Sequence, residues 1–120
     1  MLMNDTLHTP REKIADELVE ILDSKFFKAL SEPVRIQILK FLILNGRSDI
    51  AAIAKTLPQD RSVISRHLQF MHGVGILNCE KITRHVYYEI NGVLFLTRLS
   101  NIMEKIKECM PDCCPVDTSG

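Results

Sequence analysis

The chain carries no net charge, no apolar run long enough to span a bilayer, and no glycine-rich phosphate loop. Each absence excludes something. A charge balance of zero argues against a nonspecific coat for nucleic acid, because such proteins are strongly basic throughout. A membrane helix needs ~18 or more consecutive apolar residues, and no window approaches that. The opening residues Met1-Leu2-Met3-Asn4-Asp5-Thr6 have neither a basic segment nor an apolar stretch. No secretory leader is therefore expected, and the chain is expected in the cytoplasm with no membrane partner. Paired catalytic carboxylates and a Ser or Cys nucleophile with a base at interpretable spacing are also missing, so an enzyme is not expected. There is no internal repeat and no low-complexity segment.

Cysteine is scarce too, with four in 120 residues. In a reducing compartment these are thiols or metal ligands and not a framework of bridges. The fold can do without staples. A chain of this length with 46% apolar residues forms one domain with a core of its own.

What is present is unevenly distributed. Between Lys55 and His85 the bases Lys55, Arg61, Arg66, Lys81 and Arg84 meet only Asp60 and Glu80. Acidic residues outnumber basic ones before Pro33 and again after His85, which cancels the central excess in the total. A local positive segment inside a neutral chain is either ordinary surface charge or a footprint for an anionic partner.

Periodicity and punctuation divide the chain. Thr9-Pro10-Arg11-Glu12 is a helix start, with Thr9 able to cap and Glu12 able to complete a capping box. Ile14, Leu18, Ile21 and Leu22 then form one apolar stripe. A short helical turn holds Phe26, Phe27 and Leu30. Ser31-Glu32-Pro33 opens the next helix with Ser31 as its expected cap. The density of Val34, Ile38, Leu39, Phe41 and Leu42 predicts a nearly buried helix, ended by Asn45-Gly46. Ser48 or Asp49 caps a further helix with Ile50, Ile53, Ala54 and Leu57 on its inner face. Pro58-Gln59-Asp60 is a connection of the length found between the helices of a helix-turn-helix.

Asp60 then caps a helix whose Val63, Ile64, His67, Leu68 and Met71 point inward or sideways. Arg61, Ser62, Ser65, Arg66 and Gln69 line the opposite face, and Gly73 and Gly75 end the helix. Residues 76–82 and 85–90 have strand composition and meet at Thr83-Arg84, a hairpin without the usual turn glycine. The last helix is predicted from about Val93 to Glu108, with Phe95, Leu99, Ile102, Met103 and Ile106 as its stripe and Pro111 limiting it. Residues 9–110 thus form the domain, and 111–120 a cysteine-containing tail.

A slim polar-faced helix followed by a basic hairpin is the arrangement that fits duplex DNA. The helix can enter a major groove while the hairpin reaches the backbone beside it. Ser62 and Ser65 share a face and are small enough to let the helix come close. Arg61 and Arg66 can meet phosphates or guanine edges, Gln59 and Gln69 flank them, and Lys81 and Arg84 lie near the hairpin tip. His67 sits at the edge of the core, where a hydrogen-bonded packing role competes with a phosphate contact or metal ligation. The competing reading of the whole face is a solvated helix and a charged turn. One such module grips only half a site. The end helices carry more apolar surface than one small core needs, which predicts either a homodimer across a two-fold axis or stripes folded inward within one chain.

Three segments resemble the ArsR/SmtB family of small winged-helix repressors. They are Phe27-Lys28-Ala29-Leu30-Ser31-Glu32-Pro33-Val34-Arg35-Ile36-Gln37-Ile38-Leu39, Val63-Ile64-Ser65-Arg66-His67-Leu68 and Val86-Tyr87-Tyr88-Glu89-Ile90. They match the family's Ala-Leu-x-x-Pro-x-Arg helix start, its Ser-x-His-Leu recognition core and its second wing strand. The likeness covers roughly residues 25–110. It implies an α+β, mostly helical fold of about five helices plus a two-stranded wing, dimeric through the terminal helices. It also implies a repressor bound to an inverted-repeat double-stranded operator.

Cys109-Met110-Pro111-Asp112-Cys113-Cys114 places three thiols close together. A three-sulfur set without histidine suits a pyramidal As(III)- or Sb(III)-like centre. It also suits Cd(II) or Pb(II), or Zn(II) with Asp112 or a partner thiol as fourth ligand. The family's usual sensor positions are empty of ligands here. Ser48-Asp49-Ile50-Ala51-Ala52 stands where a Cys-x-Cys segment is common, and the last helix has no His. That leaves Cys109, Cys113 and Cys114 as the inducer site. A dithiol redox switch, inert tail residues, or participation of Cys79 are the other readings. Cys79 by itself is expected to pack as a small apolar residue. A winged-helix interaction module that never touches DNA remains a second class of function. A thiol oxidoreductase does not fit, because Cys-x-x-x-Cys-Cys lacks the two-residue spacing of that chemistry.

Overall fold

The chain alternates short helices with a small antiparallel sheet. A computed structural model describes residues 9–113, with side chains as far as Met110. In chain order the elements are α1 (Pro10–Leu22), α2 (Lys25–Ala29), α3 (Pro33–Asn45), β1 (Ser48–Asp49), α4 (Ile50–Thr56), α5 (Arg61–Val74), β2 (Leu77–Ile82), β3 (His85–Ile90) and α6 (Gly92–Cys113). They group into two compact units. One is Lys25–Phe95; the other comprises the residues up to Ser24 and those from Leu96 onward.

In the Lys25–Phe95 unit the core is one cluster: Phe26, Ala29, Ile38, Leu39, Leu42, Ile53, Ile64, Leu68, Met71, Ile76, Leu77 and Tyr88. Ile64, Leu68 and Met71 recur at helical spacing, so a single stripe seats α5 in the core and leaves its other side outward. Phe26 meets Phe27 and Phe95 edge-on, with ring centroids 5.0 and 5.4 Å away. α5 ends as expected at Gly75, whose φ of 99° is the left-handed cap position. A Cβ there would lie 2.8 Å from Leu94 Cδ1, so space and backbone both demand glycine.

The sheet has three strands in the order β1-β3-β2, one more than the sequence predicts. Ser48 pairs with Tyr88 and Asp49 with Tyr87, so the residues that open α4 also form a short edge strand. Two residues have no visible alternation, which is why β1 leaves no sequence signature. The hairpin pairs Leu77 with Ile90 through Ile82 with His85, and Thr83 takes a φ of 55° in the turn. That strain stands in for the missing turn glycine.

Four further expectations change. Ser31 does not cap α3. Its hydroxyl donates to the Lys28 carbonyl at 2.7 Å, and Glu32 caps instead, accepting from the Val34 amide at 3.3 Å. Pro33 as first helical residue fixes the cap one position later. α3 is not nearly buried either. Ile38, Leu39 and Leu42 are covered, while Ile43 and Leu44 are 71% and 72% exposed. Apolar density alone gives no direction, and α3 packs on β3 and α5 with one side only. Cys79 is exposed instead of packed, because β2 is an edge strand that leaves the core after Leu77. Finally, α6 continues past Pro111 to Cys113. A proline there removes one amide donor, and the carbonyl it would have served belongs to exposed Lys107, where water can take its place.

In the other unit, α1 starts with the expected capping box. The Glu12 amide donates to Thr9 Oγ1 at 3.1 Å, and the Thr9 amide donates to Glu12 Oε1 at 2.9 Å. Lys105 and Glu17 join α6 to α1 at 2.7 Å. No residue of α1 is fully buried, and Ile102 is the buried residue on the α6 side. No helix among the described residues is long and apolar enough to cross a membrane.

Candidate nucleic-acid interface

α5 presents its polar face because its apolar stripe is spent on the core. Arg61, Ser62, Arg66 and Gln69 are exposed; Ser65 is half-buried and accepts from Gln69 Nε2 at 3.2 Å. Gln59 is half-buried in the connection between α4 and α5. Asp60 occupies the cap position of α5 but makes no side-chain bond to its amides, unlike Asp49, which accepts from Ala52 at 2.9 Å to cap α4. The first-turn amides of α5 thus have no side-chain partner at the cap, where the helix dipole favours an anion.

The wing follows at once, through Gly75 and Ile76. Lys81 lies on β2 opposite Val86, and Arg84 is in the turn; both are exposed. Arg61, Arg66, Lys81 and Arg84 make no ion pair with any described residue. Other polar groups are engaged internally. Arg47 pairs with Glu80 and lies 5.4 Å over the Tyr87 ring, and His85 Nδ1 is 3.2 Å from Asp49 Oδ2. These contacts tie the hairpin to the segment that starts the helix-turn-helix. Tyr88 adds to this from inside. It is 4% exposed, and its burial, together with the Cys79 thiol across the strand, pushes the phenol pKa up. The face thus combines cations without a described ion-pair partner and small hydroxyls on a helix that is followed by a hairpin tied to the start of the helix-turn-helix.

His67 is half-buried and bonded on one ring nitrogen. Its Nδ1 accepts from Arg35 Nε at 3.2 Å. Burial holds its pKa below the usual imidazole value, and the Arg35 charge lowers it further. In the sequence Arg35 stands in a motif without an evident task, and Arg47, Asp49 and His85 share no pattern. Only the Pro-x-Arg pattern marks Arg35. The other contacts cross more than 30 residues (33 between Arg47 and Glu80), so no local pattern encodes them.

The thiol cluster is only partly described. Cys109 is half-buried and held in a disulfide, and the side chains of Cys113 and Cys114 lie outside the described residues. Among the described residues no group of three His, Cys, Asp or Glu side chains could hold a metal. At the start of α4, where the resembled family often has thiols, Asp49 is committed to the helix cap and to His85.

A helix, a short connection, a polar-faced helix and an anchored antiparallel hairpin define the class of winged helix-turn-helix proteins. Comparison with known proteins narrows this. The chain is 33% identical over 86 residues to the uncharacterized HTH-type transcriptional regulator MJ1325 of Methanocaldococcus jannaschii, covering 71% of this chain and 91% of that one. It is 31% identical over 68 residues to the cadmium resistance transcriptional regulatory protein CadC homolog of Staphylococcus aureus. That match covers 57% of this chain but only 56% of the CadC homolog, little more than half its length. Among solved structures, an ArsR-like transcriptional regulator from Rhodococcus sp. RHA1 superposes with a TM-score of 0.64 at 25% identity, over 70% of this chain and 78% of that one. The fold of the homodimeric winged helix-turn-helix DNA-binding domain Mb0332 of Mycobacterium bovis also matches. Its TM-score is 0.55 at 24% identity, over 85% and 89% of the two chains. No protein-family profile matches the chain. The chain belongs to the ArsR/SmtB family of winged-helix transcriptional regulators, which is not a family of enzymes.

Proposed function

We propose that the protein is a repressor that binds an inverted-repeat operator as a homodimer and leaves it when Cys109, Cys113 and Cys114 bind a soft metal or metalloid. The observation that carries the DNA part is the face of α5. Its apolar stripe is consumed by the core, while Arg61 and Arg66 make no ion pair with a described residue and stand beside Ser62, Ser65 and Gln69. Phosphates are the partner such cations lack.

The dimer reading rests on α6. Leu96, Leu99, Met103, Ile106 and Met110 are all exposed, between 41% and 69%, and recur at spacings of three and four. That is the seam one helix offers another, and a second copy supplies the same seam by symmetry. On this reading residues 9–110 bind DNA and dimerise, and residues 111–120 complete the thiol site. Because Cys109 lies between Ile106 and Met110 of the seam, a ligand there acts on dimer geometry, and hence on the spacing of the two α5 helices. A coupling of ~1–3 kcal/mol would change DNA affinity about 5- to 150-fold. The cadmium named for the CadC homolog, and the preference of thiolates for soft ions, favour Cd(II), As(III) or Sb(III) as inducer.

A second reading has a specific observation behind it. Cys109 is held in a disulfide, so oxidation could itself be the inducing event. One experiment separates these. DNA binding to the chain's own promoter region is titrated with As(III), Sb(III), Cd(II), Zn(II) and peroxide, for the wild type and for the Cys109→Ser, Cys113→Ser, Cys114→Ser triple variant. Metal-specific release that the triple variant loses supports sensing. Peroxide-specific release supports the redox switch. Release that the triple variant retains for every agent rules out the thiol site, and binding that ignores salt rules out the DNA reading.

A further inference from the structure

The flank of α5 that carries His67 is organised from another helix. Arg35, half-buried on α3, makes three contacts. Its Nε donates to His67 Nδ1 at 3.2 Å, its Nη1 donates to the Lys28 carbonyl at 3.3 Å, and its guanidinium carbon lies 4.2 Å from the Phe70 ring centroid. The three hold the guanidinium plane in place, with one anchor on α2 and two on α5. The first bond has a chemical consequence. A guanidinium has only donors, so Nδ1 must carry the lone pair, and the ring proton of the neutral imidazole sits on Nε2.

His67 Nε2 donates to no described residue. It is not a buried orphan either, since no buried side-chain nitrogen or oxygen among the described residues lacks a partner. It therefore reaches solvent. Helical spacing sets His67 beside the buried Ile64, Leu68 and Met71 stripe, at the border of the polar face and away from its centre. Base edges are met from the centre of a recognition face; a donor at the border meets the sugar-phosphate backbone alongside.

We propose that Arg35 is a positioning residue that presents the His67 Nε2–H as a fixed, uncharged donor to a backbone phosphate of the bound DNA. This rests on the nucleic-acid reading above and adds to it a contact that carries no charge. The charges facing the ring are Arg35 of α3, Glu32 at the cap of α3 and Arg66 from its own helix, while the Lys28 carbonyl of α2 holds Arg35. A second proton on Nδ1 would displace Arg35, so acidification would break the arrangement and not strengthen the contact.

The test uses the full chain and promoter DNA, with two near-isosteric variants. Gln places its amide nitrogen near Nε2, whereas Asn reaches only to the Nδ1 position. H67Q is expected to keep affinity within about threefold, and H67N and H67A to lose about tenfold or more, the scale of a hydrogen bond to a charged acceptor. The salt dependence separates this from a general loss of grip. H67A should leave the slope of log K against log salt unchanged, while R66A should reduce it by about 0.9. Nitrogen-detected spectra of the imidazole should show an unprotonated Nδ1 and protonated Nε2 in the wild type, and a mixture in R35M. The H67Q and H67N comparison keeps Arg35, so it stands whether or not R35M folds. The proposal is overturned if H67Q and H67N bind alike, if H67A changes the salt slope as R66A does, or if Nδ1 carries the proton. If the wild type binds promoter DNA without salt dependence, the nucleic-acid reading falls with it. If the wild type binds normally and only the His67 variants fail to discriminate, the reading stands and this inference alone is wrong.

Discussion

Glu17 Oε1 lies 2.7 Å from Lys105 Nζ, and this bond joins the first and last helices across 88 residues of chain. The Lys105 ammonium holds the Glu17 carboxyl below its ordinary pKa of 4.5, chiefly through the hydrogen bond, and Glu17 raises Lys105 above its ordinary 10.5. The signs follow from linkage. A lowered carboxyl pKa contributes stability that is present above 4.5 and lost as pH falls through the folded value. A raised ammonium pKa contributes stability that is present below 10.5 and lost as pH rises through the folded value. Both groups are exposed enough for solvent and salt to screen the pair. Glu17→Gln is therefore expected to lower stability slightly near neutrality and to flatten the loss below pH 4.5 by the same small amount. Urea midpoints across pH check this, and an unchanged acid limb would rule it out.

Gly75→Ala should destabilise by about 1–2 kcal/mol, because an alanine at a φ of 99° is strained and its Cβ would meet Leu94 Cδ1 at 2.8 Å. Gly46→Ala is the comparison. It also has a positive φ, 72°, but meets nothing within 4 Å, so it should cost less. Denaturant unfolding of both variants gives the ranking.

Leu68→Ala should cost about 2–5 kcal/mol, since Leu68 is fully buried in the stripe that seats α5. Leu44→Ala should stay within about 0.5 kcal/mol, since Leu44 is 72% exposed on α3. Equal effects would mean that Leu44 is covered in solution, and a concentration-dependent midpoint would then identify a second copy as the cover.

Arg61→Ala with Arg66→Ala should leave folding within about 0.5 kcal/mol of the wild type, because neither pairs with a described residue. Binding to promoter DNA should weaken, and the slope of log K against log salt should fall by about 0.9 for each phosphate contact removed. Titrations at several salt concentrations measure both. An unaltered slope would remove these arginines from the interface.

Much of the candidate site was legible because helices advertise their faces. The spacing of Ile64, Leu68 and Met71 decides which side of α5 is inward, and Arg61, Ser62, Arg66 and Gln69 are left on the other by default. Caps are local as well, which is why the Thr9 and Glu12 exchange could be read directly. The Ser31 and Glu32 choice went the other way, because it depended on whether the Lys28 carbonyl was free to accept the Ser31 hydroxyl. On α3, where apolar residues fall on every side, composition could not choose a face, and packing against β3 and α5 did.

The sequence alone determined the order of elements, their approximate ends and the outward face of α5. All of these follow from interactions within one or two helical turns. Only the tertiary structure decided that Asp49 and His85 meet, that Arg47 meets Glu80, that β1 joins the sheet, and that Arg35 holds His67 by a single ring nitrogen. Each of these joins residues more than 30 positions apart, and chain geometry, not spacing, brings them within reach of a hydrogen bond or ion pair.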